Sequence, residues 1–132
     1  MKNDITAILA RIVSAYLIVT GLGFLLSPDF FASMIVYKGS DPVLINLSGM
    51  THFFIGITIL VLHFKWRGAL EVLVTLIGIS FLLKGASLIA IPELTLQTGG
   101  NDLQLSIFVP MGFLAVGLVM AYLAWIKRSK DR

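Results

Sequence analysis

The sequence predicts an all-α fold, a polytopic membrane bundle of four helices, and three observations lead to this prediction. The chain is 58% hydrophobic and only 13% charged, with a mean hydropathy of +0.96, so it has too little polar surface for a water-soluble domain. It contains four apolar runs of about 20 residues, the length that a spanning helix needs. Short connections join the runs, so residues 1–132 are expected to form a single membrane domain. The predicted spans are residues 8–26, 45–64, 69–91 and 105–126.

Composition excludes several kinds of chemistry. The chain has no cysteine, which excludes thiolate catalysis, disulfide exchange and cysteine metal sites. No nucleotide-binding loop, metal-ligand cluster or nucleophile-base spacing is present. The two histidines, His52 and His63, are too few to hold a pair of haems, because each haem needs a second histidine at the same level. The sequence therefore predicts a non-enzymatic protein with no catalytic residue, no metal and no cofactor.

The positions of the basic residues predict the topology. If both termini face the cytoplasm, eight of the ten Lys and Arg residues lie on that side, Lys38 lies on the other side and Lys84 lies inside the membrane. This bias follows the positive-inside rule, so we expect an inner-membrane protein with cytoplasmic N and C termini. The basic C-terminal tail is expected to contact membrane lipid. Nucleic-acid binding is not expected, because no basic face with interleaved aromatic residues exists outside the spans.

The first span carries small residues on one face, which predicts close packing against another helix. These residues are Ala7, Ala10, Ser14 and Gly21. The tripeptide 27–29 then combines an N-cap serine, a proline at the first helical position and an acidic residue. We therefore expect a short amphipathic helix over residues 28–37, lying in the outer interface. A turn at residues 39–42 leads into the second span.

The remaining spans contain the polar residues of interest. In the second span, His52 and His63 share one broad face with Ser48 and two glycines. In the third span, Glu71 lies on one face, and Lys84 lies on the opposite face with Ser80 and Ser87. The polar, glycine-rich residues 92–102 are expected to form an outer loop. Pro110 is expected to kink the fourth span near its outer end.

The two halves of the chain resemble each other. Residues 21–30 align with residues 85–94 at an offset of 64, and residues 51–67 align without gaps with residues 112–128 at an offset of 61. Both matches preserve direction relative to the membrane. The alignment predicts a tandem duplication of a helical hairpin, with a pseudo-twofold axis along the membrane normal. Lys84 then corresponds to Thr20, and His52 corresponds to Phe113.

The first hairpin resembles a known family. An arginine early in the first helix is followed by a glycine-rich end and a Pro-x-Phe corner, formed by Arg11, Gly21, Gly23, Pro28 and Phe30. This pattern resembles the start of DoxX-like four-helix membrane proteins. The resemblance implies a four-helix bundle, whose members either serve as small accessory subunits of membrane redox systems or have no assigned activity. It implies no catalytic residue at His52 or Lys84.

Lys84 is the main candidate for a specific role, because a charge at membrane depth costs on the order of 3 kcal/mol on insertion scales. One hypothesis is structural: the ammonium pairs with an outer acid or with the helix C-terminal carbonyls of residues 88–91. The candidate acids are Asp29, Asp41, Glu93 and Asp102. The other is functional: Lys84, His52 and Ser87 line a ligand-binding site. At the inner end, Arg11 and Glu71 lie at the same level and are expected to form a structural ion pair.

These residues leave several functions open. The leading hypothesis is a small membrane protein without a catalytic site, acting as an accessory subunit or a self-associating bundle. One alternative is a small-molecule or ion transporter or pore with Lys84 and His52 on the pathway. Another is a lipid- or quinone-binding protein. The expected partners are membrane lipid and either a second copy or a partner membrane protein.

Overall fold

The structure, a computed structural model, describes residues 5–30, 41–100 and 107–127. Within these ranges the chain is helical and contains no β-strand, which confirms the predicted all-α class. The last helix continues as a π-helix over Tyr122–Lys127. The helices are α1 (Ile5–Leu26), α2 (Pro42–Leu62), α3 (Ala69–Ala90), α4 (Pro92–Gly100) and α5 (Phe108–Ala121).

Four helices are long and apolar enough to cross a membrane: α1, α2, α3 and the segment Phe108–Ile126, which contains α5. Their outward surfaces are apolar, since Val19 is 70% exposed and Phe108 is 79% exposed. Such exposure is compatible with lipid and not with water. The chain is therefore a multi-pass membrane protein. We call the end at which α1 begins and α5 ends the proximal end, and the opposite end the distal end.

The second span begins earlier than predicted. The Oδ1 atom of Asp41 accepts a hydrogen bond from the Val43 backbone amide at 2.8 Å, and Pro42 occupies the first helical turn. An N-cap acid followed by proline starts a helix efficiently, because the capped amides lack helical partners. Residues expected to form the end of a turn therefore begin α2, which ends at Leu62.

Two expectations at the distal end need correction. The polar segment expected to be a loop forms α4, because Pro92 begins it and Glu93 lies in its first turn, where the helix dipole favours an acid. Pro110 does not interrupt a helix, because it lies in the first turn of α5, where its missing amide has no helical partner. Of the predicted interfacial helix, residues 28–30 are helical and residues 31–37 lie outside the described ranges.

The spans pack as two antiparallel pairs, α1 with α5 and α2 with α3, which meet mainly where α1 contacts α3. The α2–α3 pair is very close at Gly56, where an added Cβ would lie 2.7 Å from the Leu82 Cα and 2.8 Å from the Gly78 carbonyl oxygen. A side chain at this position would prevent the approach. Small residues at helix crossings are the usual means of association in lipid.

The two pairs are equivalent under the predicted repeat. A Cβ at Gly21 would meet Leu114, and a Cβ at Gly85 would meet Phe53, and these two contacts are related by the offsets of 64 and 61. The buried positions of α2 and the residue after it also correspond to those of the fourth span: Gly49, Gly56, Ile59 and His63 match Pro110, Gly117, Met120 and Ala124. The packing therefore supports a tandem duplication with a pseudo-twofold axis between α1 and α3.

The hydrophobic core lies in the proximal half and at the middle of the bundle. All four spans contribute to it, and its buried members are Ala10, Val13, Leu17, Ile59, Leu70, Val74, Met120 and Ala124. Towards the distal end, glycine contacts join helices within each pair: Gly21 faces Leu114, and Gly49 faces Leu88 and Ile89. The bundle is therefore held together proximally, and its two pairs are more independent distally.

Candidate functional site

Lys84 lies on the outer surface of the bundle, in the distal half of α3. It precedes the last residue of α3, Ala90, by six positions, or about 9 Å along the helix axis. The side chain is exposed, and among the described residues its ammonium has no hydrogen bond and no ion pair. Within the described ranges, this charged group therefore faces the lipid phase without a partner.

The predicted tether between Lys84 and an outer acid is not seen for the acids that the structure describes. No ion pair joins Lys84 to Asp29, Asp41 or Glu93, and the Asp41 carboxylate already caps α2. These acids lie at or beyond helix ends, whereas Lys84 lies more than a turn inside α3. The fourth candidate, Asp102, lies outside the described residues.

His52 lies close to Lys84, on the neighbouring helix. It is half-buried, its ring stacks on Phe81 with centroids 5.4 Å apart, and its Nδ1–H donates to the Ser48 carbonyl oxygen at 2.7 Å. Lys84 is near enough to interact with it electrostatically. The structure thus brings two of the three predicted ligand-binding residues together, although the known contacts of His52 are with its own helix and with Phe81.

Ser87, the third predicted ligand-binding residue, uses its hydroxyl locally. It donates to the carbonyl oxygen of Lys84 at 3.0 Å, and Ser80 similarly donates to the carbonyl oxygen of Leu76 at 2.9 Å. Both hydroxyls donate their hydrogen bonds to the backbone of α3, so Ser80 and Ser87 act as small side chains on either side of Lys84. Whether Lys84, His52 and Ser87 hold a ligand stays a prediction.

The pseudo-twofold axis shows that this polar group belongs to one half only. Thr20 corresponds to Lys84, and Phe113, which corresponds to His52, stacks on Phe24 with centroids 5.9 Å apart. The distal part of the α1–α5 pair is thus aromatic where the α2–α3 pair is polar. The duplicated fold does not require a lysine at this place.

At the proximal end, Arg11 binds the fourth span. Its Nε and Nη2 atoms donate to the Ala124 carbonyl oxygen at 3.3 and 3.2 Å, and its guanidinium lies 4.9 Å from the centroid of the Trp125 ring. Ala124 belongs to the π-helical segment, whose backbone hydrogen bonds differ in register from those of an α-helix. Arg11 therefore connects the first and last spans.

The predicted ion pair between Arg11 and Glu71 stays a prediction. The side chain of Arg11 contacts Ala124 and Trp125 in the last span. Within the described part of the chain it forms no ion pair with Glu71. The Oε2 atom of Glu71 is buried and has no hydrogen-bond partner there. Glu71 corresponds to Ala7 in the other half, so it too departs from the internal symmetry.

A buried polar cluster that sequence reasoning missed joins three segments at the proximal end. The Nε2 atom of His63 lies 2.9 Å from the Thr6 hydroxyl, and its Nδ1 atom lies 3.5 Å from the Thr75 hydroxyl. Thr75 also donates to the Lys65 carbonyl oxygen at 3.0 Å. Since that bond uses the only hydroxyl proton of Thr75, the Thr75 hydroxyl oxygen accepts from Nδ1 of His63.

This cluster has a structural role, because buried polar groups that satisfy one another fix the geometry of the helices carrying them. His63 and Thr75 are each 1% exposed or less. The sequence offered one signal, the position of Thr6 next to the small-residue face of α1. The 57-residue separation of Thr6 and His63 hides their pairing.

Comparison of the chain with protein-family models, curated proteins and solved structures finds no match. No group of three or more metal-ligating side chains occurs among the residues that the structure describes.

Proposed function

We propose that the protein acts by lateral association in the membrane, as an accessory subunit of a larger assembly or as a self-associating bundle. In this proposal it resides in the inner membrane with cytoplasmic termini, it has no catalytic site, and the surface around Lys84 is the surface that a neighbour covers. The resemblance of the first hairpin to DoxX-like proteins supports the accessory role.

The exposed ammonium of Lys84 is the observation that carries the proposal. A charge facing hydrocarbon costs on the order of 3 kcal/mol, and a covering neighbour with a polar group lowers this cost. Thr20, at the equivalent position in the other half, carries no charge. Covering the surface around Lys84 with a polar neighbour therefore lowers the free energy, whereas covering the equivalent surface around Thr20 brings no such gain.

The transport alternative gains less support from the geometry. Lys84 lies on the surface and not in the four-helix core, and Val74, Met120 and Ala124 fill the centre of the bundle with no exposed area. A pathway through one copy would have to open this core. Lipid or quinone binding is a second candidate, because His52 stacks on the Phe81 ring and Lys84 is near enough to interact with His52 electrostatically.

Photo-crosslinking in native membranes tests the proposal. A benzophenone side chain at the exposed Ser80 position is expected to form an adduct of discrete mass, and the Lys84→Met substitution should abolish it. Leu118 lies on α5, in the other helix pair, and is also exposed, so a benzophenone there is the control and should react with lipid. Lipid adducts alone at both positions would contradict lateral association and favour lipid binding.

A further inference from the structure

We infer that the neighbour covering Lys84 is a different membrane protein, which contributes a spanning helix with a carboxylate at the depth of Lys84. This inference rests on the proposed lateral association and specifies its partner. It follows from the shape of the α3 surface, from the unpaired charge and from the positions of the acids in this chain.

The surface has the shape of a helix-packing seam. Ser80, Lys84 and Ser87 follow one another at steps of four and three residues, the spacing by which one helix contacts another along its length. The two serines are small and bond their own backbone, so they permit close approach without needing polar partners. This seam lies away from Gly78 and Gly85, the residues through which α3 contacts α2.

The charge at the centre of the seam selects an acid. The Lys84 ammonium has no hydrogen-bond or ion-pair partner in the described ranges, and a carboxylate is the side chain that both neutralises it and accepts its protons. Lys84 lies about 9 Å inside the distal end of α3. A spanning helix can hold a carboxylate at that depth, whereas lipid phosphates lie in the headgroup region outside the hydrocarbon.

A second copy does not supply this acid. Glu71 is the acid within the spans, and it lies in the first turn of α3, at the end opposite to Lys84. Two copies inserted in the same direction keep these residues at opposite ends. The remaining acids of the sequence lie outside the spans, and they are Asp4, Asp29, Asp41, Glu93, Asp102 and Asp131. The partner is therefore a different chain.

A designed helix tests the inference. The full-length protein is reconstituted in phosphatidylcholine vesicles with a Leu/Ala single-span helix that carries one Glu six residues from its distal end, oriented by a folded tag at the other end. Energy transfer between labelled chains measures their association. We expect the Glu helix to associate about tenfold more tightly than the same helix with Gln, a ratio typical of a buried polar contact between membrane helices. Helices with Glu near the proximal end should behave like the Gln helix.

Substitutions of Lys84 separate the inference from its alternatives. Lys84→Thr introduces the residue found at the equivalent position of the other half, so folding is retained, and circular dichroism checks this. The Lys84→Thr variant should bind the Glu helix and the Gln helix equally well. Equal association of the Glu and Gln helices with the wild-type protein would overturn the inference, as would a preference that survives Lys84→Thr. If adding phosphatidylglycerol removes the wild-type protein's preference for the Glu helix, an anionic lipid headgroup, and not a protein carboxylate, binds Lys84. Crosslinking at position 80 in native membranes remains an independent test of lateral association.

Discussion

The close approach of α2 and α3 at Gly56 gives the most quantitative prediction. In Gly56→Ala, the new Cβ would meet three backbone atoms of α3, at 2.7 Å from the Leu82 Cα and 2.8 Å from the Gly78 carbonyl oxygen, as well as the Leu82 amide nitrogen. Ordinary contacts begin at 3.4 Å, so α2 and α3 must move apart by at least about 0.7 Å. Backbone atoms cannot rotate away, unlike a side chain. We expect a loss of about 3 kcal/mol, the upper end of the overpacking range.

Gly112 offers a matched control, because a Cβ there has no atom within 4 Å. Gly112→Ala should leave stability unchanged or raise it by up to about 1 kcal/mol through helix propensity. A Cβ at Gly117, the counterpart of Gly56, would lie 2.9 Å from the Ile18 Cγ1 and 3.1 Å from the Ile18 backbone nitrogen. These distances exceed those at Gly56, so Gly117→Ala should cost less than Gly56→Ala. Unfolding in mild detergent, followed by circular dichroism and tryptophan fluorescence, measures all three. If Gly56→Ala proves as stable as Gly112→Ala, the described α2–α3 packing is wrong.

Three further predictions concern the proximal end, and detergent unfolding measures each. Thr6→Val removes the 2.9 Å hydrogen bond between Thr6 and His63, so it should cost about 0.5 to 1.5 kcal/mol, and a double-mutant cycle with His63→Leu should show coupling. Additive costs would contradict the hydrogen bond. Arg11→Met removes two bonds to a carbonyl oxygen and the contact with Trp125, so it should lower stability by about 1.5 to 3 kcal/mol and shift tryptophan fluorescence; an unchanged spectrum would refute the stacking. Glu71→Gln removes a buried carboxylate oxygen that has no partner in the described structure, so the free energy of unfolding should stay the same or rise by about 1 kcal/mol. A clear loss of stability would indicate that Glu71 forms an ion pair.

The sequence predicted the spans well because hydropathy and length determine them directly. The first and third spans end within one residue of the predicted ends, at Leu26 and Ala90. The errors occurred where capping outweighs hydropathy. Asp41 with Pro42 starts α2 within a predicted turn, and Pro92 with Glu93 starts α4 within a predicted loop. Pro92 followed by Glu93 repeats the order of Pro28 and Asp29, from which the sequence predicted a helix, whereas at α2 the acid precedes the proline.

The repeat predicted more of the packing than hydropathy did. Its two offsets relate the Gly21–Leu114 contact to the Gly85–Phe53 contact, although the pairing of α1 with α5 was not itself predicted. Polar contacts were harder to predict, because helical periodicity shows on which face of a helix a side chain lies but not which residue it contacts. Arg11 therefore reached Ala124 in the last span, 113 residues away, and not the acid at its own level.

The mass of the native assembly tests the central claim, lateral association through the Lys84 surface, most directly. Extraction into native nanodiscs without detergent, followed by native mass spectrometry, gives the copy number and identifies co-extracted protein and lipid. For the wild type we expect one chain bound to a different membrane protein, and for Lys84→Thr a chain with lipid alone. A wild-type chain that is consistently alone with lipid would contradict it.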